Sequence, residues 1–341
     1  LLMMRASRQA QVANRPNARP YVVTRSGMAG LHRYAQTWSG DNITSWETLR
    51  FNQKMGISLA MCGISNSGHD IGGFAGPAPS PELLIRWVQA GLLMPRFSIH
   101  SWNSDGTVNE PWMFPEVTAL IAKLLRLRRA LQPFIHHLLW RYHHFYEPIS
   151  LPLWFQYPFF NEAWNDNDAL LLGTNVLTVA AMDPNITELD VVLPPGYWWD
   201  VRDNQRYEGG HQYSLAAPLD TLPPTLICEN SGILIDSAPA GFKSRPPQST
   251  ALLFPSPGVS RWEWSSFDEL DDDSLNVQGT WTINIDANQH TLKLNCQWEG
   301  STQRPSDCLW IAFPLSEQRT IEINGVTMES QLIEILGAQR R

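Results

Sequence analysis

The chain has 341 residues, 43% of them hydrophobic and 17% charged, with a formal net charge of −8. That length suggests two or three domains, and the apolar share is ample for real cores. The acidic balance and the lack of any Lys/Arg-rich run exclude a basic nucleic-acid footprint, and no stretch reaches the ~18 consecutive apolar residues of a membrane helix, so neither nucleic acid nor a membrane is an expected partner.

In chain order, the opening LLMMRASRQAQ is made of helix formers and has no signal-peptide pattern. It reads as a helix already under way, with the natural N-terminus expected upstream. Nothing marks export, which points to the cytoplasm. Tyr21–Thr24, Tyr34–Thr37, Leu59–Ile64 and Arg96–Ile99 read as short buried strands. Between them, Thr44-Ser45-Trp46-Glu47 has the spacing of a capping box. Ser80-Pro81-Glu82 combines a cap, a first-turn proline and an acid at the positive end of the helix dipole, predicting a helix to about Gly91. Repeated strand–loop–helix units imply a parallel sheet. From Pro115 to Tyr146 the apolar residues follow a 3.6 period, predicting one long helix kinked at Pro133.

After about residue 150 the pattern changes to short apolar runs (Leu170–Leu172, Val176–Met182, Leu189–Leu193, Ile233–Ile235) separated by turns such as Pro194-Pro195-Gly196 and Glu208-Gly209-Gly210. This is the signature of a β-sandwich. Lys243–Gly258 reads as a linker, followed by strands at Trp281–Ile285, Leu292–Cys296, Leu309–Phe313 and Ile321–Ile323. The fold class expected is α/β plus all-β.

The four cysteines (Cys62, Cys228, Cys296, Cys308) have no zinc spacing. Free thiols are expected, with a Cys296–Cys308 hairpin bridge as the alternative. Asp271–Asp273 reads as a solvated loop rather than a calcium site. His136, His137, His143 and His144 lack the i, i+3 or i+4 spacing of helical metal ligands. No metal and no cofactor is expected.

The polar residues around the strands are more informative. Arg25 follows the first expected strand, Trp38 to Asp41 the second, His69 to Phe74 the third and His100 the fourth. One such Asp is ordinarily a turn or cap residue. Arg, Asp, Asp and His together, with Trp and Phe among them, suit a sugar site at the C-terminal ends of barrel strands, where carboxylates exchange protons and aromatic rings pack on a sugar face.

Three segments, Arg25-Ser26 through Trp38-Ser39-Gly40-Asp41, Gly68-His69-Asp70-Ile71-Gly72-Gly73-Phe74, and Met94-Pro95-Arg96-Phe97-Ser98-Ile99-His100, resemble glycoside hydrolase family 31. So do Arg86-Trp87, Gly196–Asp200, Tyr207–Gly210 and Ala217–Pro223; the resemblance covers roughly residues 1–240. It implies the C-terminal half of a (β/α)8 TIM barrel over residues 1–145, a proximal β-sandwich over 146–240 and a distal one over 241–341. It implies an exo-acting retaining α-glucosidase working on terminal glucose of oligosaccharides. Asp41 would be its acid/base, Arg25 a contact of the catalytic carboxylates, and Asp70, Trp38, Phe74 and His100 the sugar subsite. The family's nucleophile, an Asp in a Trp-x-Asp-x-x-Glu-type context, has no counterpart before residue 21. The chain is therefore expected to be a fragment, inactive alone, with the missing N-terminal half as its partner. Exposed sheet edges would also invite oligomerisation. An α-xylosidase, a transglycosylase, or a non-catalytic carbohydrate-binding relic are the alternatives.

Overall fold

The computed structural model describes all residues except 166–167, 238–248, 268–277 and 301–308. Its first part is α/β. Helix α1 (Leu2–Asn14) precedes β1 (Val23–Thr24), β2 (Gln36–Trp38), α2 (Trp46–Met61), β3 (Ser67–Ile71), β4 (Ala75–Gly76), α3 (Pro81–Gly91), β5 (Arg96–Ile99) and β6 (Trp102–Asn103). Strands β1, β2, β3 and β5 form a parallel sheet in that order, and β4 and β6 pair beyond its C-terminal end.

The expected strand at Leu59–Ile64 is instead the last turn of α2 and the loop after it. Leu, Ala and Met are strong helix formers, and that stretch has no β-branched residue before Ile64. The true strand, Ser67–Ile71, is polar in sequence yet buried at all five positions. The helix cap also differs from the expectation by one residue: Ser45, not Thr44, accepts from the Thr48 amide. At α3 the expected cap holds, with Ser80 accepting from Leu83 and Pro81 in the first turn.

The long helix expected over 115–146 is two helices, α4 (Pro115–Ala130) and α5 (Gln132–Phe145). They meet at Leu131, and Pro133 sits in the first turn of α5, where its missing N–H removes no helical bond. Arg128 of α4 donates to the carbonyls of Leu92 (2.7 Å), Met94 (2.5 Å) and Pro95 (3.0 Å), and so fixes the turn that leads into β5. Its burial lowers its pKa to about 10.

The rest is mainly β, with a short helix, α6 (Leu153–Gln156), and a 3-10 turn at Asn161–Trp164. In chain order the strands are β7 (Ser150–Leu151), β8 (Ala169–Leu172), β9 (Val176–Val179), β10 (Glu188–Leu193), β11 (Tyr197–Asp200), β12 (Arg206–Glu208), β13 (His211–Ala216), β14 (Thr225–Cys228) and β15 (Ser231–Asp236). There follow β16 (Ser249–Phe254), β17 (Gly258–Phe267), β18 (Gln278–Ala287), β19 (Thr291–Gly300), β20 (Trp310–Ala312), β21 (Thr320–Ile323), β22 (Val326–Thr327), β23 (Ile333–Ile335) and β24 (Ala338–Arg340). A six-stranded sheet runs β12-β11-β14-β9-β8-β7, and a five-stranded one β17-β18-β19-β21-β22. The segment expected as a linker contains β16, an apolar strand paired with β15 across the expected boundary at residue 240. Asp271–Asp273 and Cys308 lie outside the described residues; Cys296 is a free thiol. Among the described residues no helix is long and apolar enough to cross a membrane.

Strands β8 and β9 are buried on both faces, which explains why all their residues but Thr178 are apolar. Leu170, Leu172 and Val176 join one core with Leu84, Ile85, Leu124 and Phe134 of α3, α4 and α5. Leu171, Leu177 and Val179 face the other way, into a core with Val191, Leu193 and Trp198. Polar ties reinforce this junction. Arg50 of α2 pairs with Asp168 and Asp183, and Gln89 of α3 donates to the carbonyls of Pro218 and Thr221.

His137 of α5 is buried and accepts, at Nδ1, the Ser265 amide of β17 at 3.1 Å. Burial first, then Arg141, lowers its pKa to about 3. Unfolding exposes a group that binds a proton near pH 6.5, so between pH 6.5 and about 3 the unfolded chain binds more protons and stability falls as pH falls. By that linkage His137 alone removes about 2 kcal/mol between pH 7 and pH 5. His137→Asn keeps an acceptor near the Nδ1 position without a titrating group. Urea midpoints at pH 7 and pH 5 should therefore differ less in this variant than in the parent chain.

Candidate active site

The C-terminal end of the parallel sheet carries the six side chains picked out by sequence. Asp41 and Arg25 meet: Arg25 Nη1 donates to Asp41 Oδ2 at 3.0 Å, and both side chains are about half exposed. Gly40, at φ +82, makes the left-handed turn that swings Asp41 back toward Arg25. Ser39 Oγ donates to Asn42 Oδ1 at 2.8 Å, and the Asn42 carbonyl accepts the amides of Phe74 and Ala75. The loop after β2 is thus stitched to the loop after β3.

Asp70 lies within β3 rather than after it, next to the strand's last residue, and is wholly buried. Arg96, the first residue of β5, donates both Nη1 and Nη2 to the same oxygen, Oδ1, at 3.2 Å each. Oδ2 has no partner among the described residues. Burial therefore dominates and raises the Asp70 pKa, against the opposing pull of Arg96. His100 and Asp41 also act on Asp70 electrostatically, from opposite directions. The Arg96 guanidinium stands 5.6 Å from the Trp38 ring centroid, within cation–π range. Phe74 and the exposed His100 form a second aromatic contact, their ring centroids 5.2 Å apart.

Gly72 and Gly73 make the turn between Asp70 and Phe74, both in the left-handed region. A Cβ on Gly73 would stand 2.3 Å from Thr44 Oγ1, so the turn approaches Thr44 more closely than any side chain would allow. Asn109 braces the same turn, donating Nδ2 to the Gly73 carbonyl at 2.8 Å and accepting from Asn103 at 3.0 Å. On the other face of β3, His69 is fully buried, with neither ring nitrogen bonded to another side chain, and burial lowers its pKa to about 4.

Sequence reasoning gave no role to Arg96, Asn103 or Asn109. An arginine opening an otherwise apolar strand was the available signal for Arg96. The two asparagines carry none, because Asn109 serves a backbone carbonyl 36 residues away and Asn103 serves Asn109. Trp102 lies beside Phe74 in the chain fold, donates its amide to the Phe74 carbonyl at 2.7 Å, and is 75% exposed. Among the described residues no cluster of His, Cys, Asp and Glu could hold a metal.

The site is therefore a carboxylate–arginine constellation with aromatic walls, mounted on parallel strand ends. Such groups can exchange hydrogen bonds with hydroxyl groups and pack against C–H faces. Residues 1–138 match the glycosyl hydrolase family 31 TIM-barrel domain and residues 146–231 match the family 31 C-terminal domain. The chain belongs to glycoside hydrolase family 31. It is 37% identical over 208 residues to neutral alpha-glucosidase C of Mus musculus, an alignment covering 60% of this chain and 23% of that protein. Among solved structures, a family 31 dextranase of Flavobacterium johnsoniae complexed with glucose shares the fold, with a TM-score of 0.81 at 24% identity over 91% of this chain and 40% of that one. A family 31 α-xylosidase from a soil metagenome, complexed with xylose, is 28% identical, with a TM-score of 0.60 over 65% of this chain and 36% of that one. The chain thus spans about a quarter of the mouse relative's length.

The buried pair gives a direct stability test. Arg96→Met leaves Asp70 buried without its cation and should lower unfolding free energy by about 3–5 kcal/mol. Adding Asp70→Asn should restore most of that loss, read as urea midpoints at unchanged m-value.

Proposed function

We propose that this chain supplies the acid/base side of an exo-acting retaining α-glucosidase that removes terminal α-linked glucose from oligosaccharides. In this reading residues 1–145 are the second half of a (β/α)8 barrel. Residues 146–240 and 241–341 are proximal and distal β-sandwiches that share the sheet of β15, β16 and β20. The observation that carries the proposal is the half-exposed Asp41 held by Arg25, beside the walled carboxylate Asp70 and the Phe74–His100 contact.

In a retaining reaction the acid protonates the leaving glycosidic oxygen while a second carboxylate attacks the anomeric carbon; the acid, now a base, then takes a proton from water. Asp41 fits the first role because it is reachable by substrate and its orientation is fixed by Arg25. Asp70 fits a holding role from beneath the subsite: its enclosed carboxylate fixes Arg96, whose guanidinium stands against the Trp38 ring. His100 and Trp38 complete the subsite. The attacking carboxylate comes from outside these 341 residues, so the chain alone is expected to be inactive. The 28% identity to an α-xylosidase supports a second reading, the same chemistry on a pentoside.

General acid catalysis matters most for a poor leaving group. In the polypeptide extended through its upstream reading frame, Asp41→Asn should lower turnover of maltose by about 10²–10⁴-fold and of p-nitrophenyl α-glucoside by much less. An equal loss on both, or none, would sink the assignment of Asp41. Parallel assay on p-nitrophenyl α-xyloside decides between the two sugars. No turnover in the extended form, with sugar binding intact, would identify a carbohydrate-binding protein instead.

A further inference from the structure

Two large apolar side chains stand exposed at the rim of the strand-end site, Ile43 and Trp102. Ile43 follows Asp41 by two residues, and Trp102 follows His100 by two. From His100 to Asn103 exposure alternates: His100 and Trp102 are exposed, Ser101 and Asn103 buried. Alternate side chains of an extended segment point the same way. Trp102 therefore stands on the open side of its loop, one step beyond His100. The two apolar residues are also joined across the rim. Ile43 bridges Ala75, and Ala75 pairs with Trp102, both in parallel. Residues paired across a ladder share a face, so Ile43, Ala75 and Trp102 form one row. At the usual strand spacing its outer members are about 10 Å apart, with the small Ala75 between them.

The backbone that presents Trp102 is fastened on both sides. Its own amide and that of Ser104 donate to the carbonyls of Phe74 and Gly76, at 2.7 Å each. Ser101 Oγ accepts the Asn109 amide at 2.6 Å, and Asn103 Nδ2 donates to Thr107 Oγ1 and Asn109 Oδ1 at 3.0 Å each. An indole on a fixed backbone loses little freedom when a flat partner settles on it, and its face suits the C–H face of a sugar. The row is continuous with the site. Phe74, next to Ala75, holds its ring 5.2 Å from that of His100, and Ile43 lies on the loop that carries Asp41.

We infer that Trp102, with Ile43 across the row, is the platform for the substrate's second sugar, the one on the leaving side of the cleaved bond. The assignment rests on the roles proposed above for Asp41 and His100. With the terminal sugar against His100 and Phe74, and the glycosidic oxygen at Asp41, the next ring passes outward over the side chains one step beyond them. Ala75 leaves the floor of the row low enough for that ring to lie between Ile43 and Trp102. Trp102 thereby sets a preference for oligosaccharides over the free monosaccharide.

Calorimetry on the polypeptide extended through its upstream reading frame tests it. The probes are methyl 4-thio-α-maltoside, a two-ring sugar whose sulfur linkage resists hydrolysis, and glucose, which fills one ring position only. Trp102→Ala should weaken binding of the thiomaltoside at least about fivefold more than binding of glucose, the size of a lost aromatic contact. Trp102→Phe, which keeps a flat ring, should recover most of that difference. Thermal unfolding checks that each variant folds. Equal weakening of both sugars would overturn the inference, because Trp102 would then act through the fold and not on the second ring. A parent protein that binds the thiomaltoside no tighter than glucose would overturn it too. Turnover plays no part in this readout. A protein that holds the thiomaltoside through Trp102 but cleaves no α-glucoside would sink the α-glucosidase reading and leave the platform standing.

Discussion

The buried pair of Asp70 and Arg96 is the constraint on which the site depends. Removing a carboxylate from water is costly, and only a well-placed cation makes it tolerable. Arg96 reaches Asp70 because β5 lies beside β3 in register, Gly68 opposite Arg96 and Asp70 opposite Ser98. Gly68 allows this: a Cβ there would stand 2.1 Å from the Arg96 carbonyl oxygen. Upstream of the strand, Arg128 grips three carbonyls of the turn between α3 and β5, and its guanidinium lies 5.4 Å from the Phe97 ring centroid. A residue on a peripheral helix thus fixes where β5 begins. The strand then fixes Arg96, and Arg96 holds both Asp70 and the Trp38 ring. Removing Arg128 would disturb the site without touching any group in it.

The parallel sheet does not stand by itself. Helices α3, α4 and α5 bury one face against β8 and β9, within a core that also takes in Ile233, Leu252 and Phe254 of the later sheet. Arg86 makes the same point in polar terms. It is buried in α3, donates to the Ile186 carbonyl of the loop before β10, and burial lowers its pKa. Precise placement of reacting groups comes from rigid elements with locked neighbours. Here part of that rigidity is borrowed from the β-rich half.

How far the site was legible in sequence depended on the kind of signal. Motif resemblance picked out Arg25, Trp38, Asp41, Asp70, Phe74 and His100, and the structure places them at or just after the C-terminal ends of the parallel strands. Local rules located α3, because Ser80-Pro81-Glu82 is a start signal that tertiary packing had no reason to override. They failed at β3. Ser-Gly-His-Asp is a poor strand by propensity, and it becomes one because parallel neighbours on both sides supply the ladder and its polar groups serve the site. The apolar run just before it, Leu59 to Ile64, was the more tempting strand and is helix and loop. β16 was hidden for a related reason: prolines on either side of Ser249–Phe254 read as linker, although the six residues between are all strand. Asn109 left no trace, since its work is done on a backbone carbonyl.

The two carboxylates near the sheet end are not interchangeable, and their surroundings say which can react. Asp70 is wholly enclosed, has one oxygen engaged by two guanidinium N–H groups, and is pushed by burial toward the protonated form. A protonated or enclosed carboxyl is a poor nucleophile, because attack needs an ionised oxygen with a clear line to carbon. Asp41 is half exposed and held by one hydrogen bond to one oxygen, leaving Oδ1 free to meet a leaving group or a water. A retaining reaction requires two carboxyl groups about 5–5.5 Å apart, both facing the substrate. With Asp70 excluded by its enclosure and its cation, Asp41 can fill one of those places only. In the retaining reading proposed above, the other carboxyl group is supplied by polypeptide outside these residues.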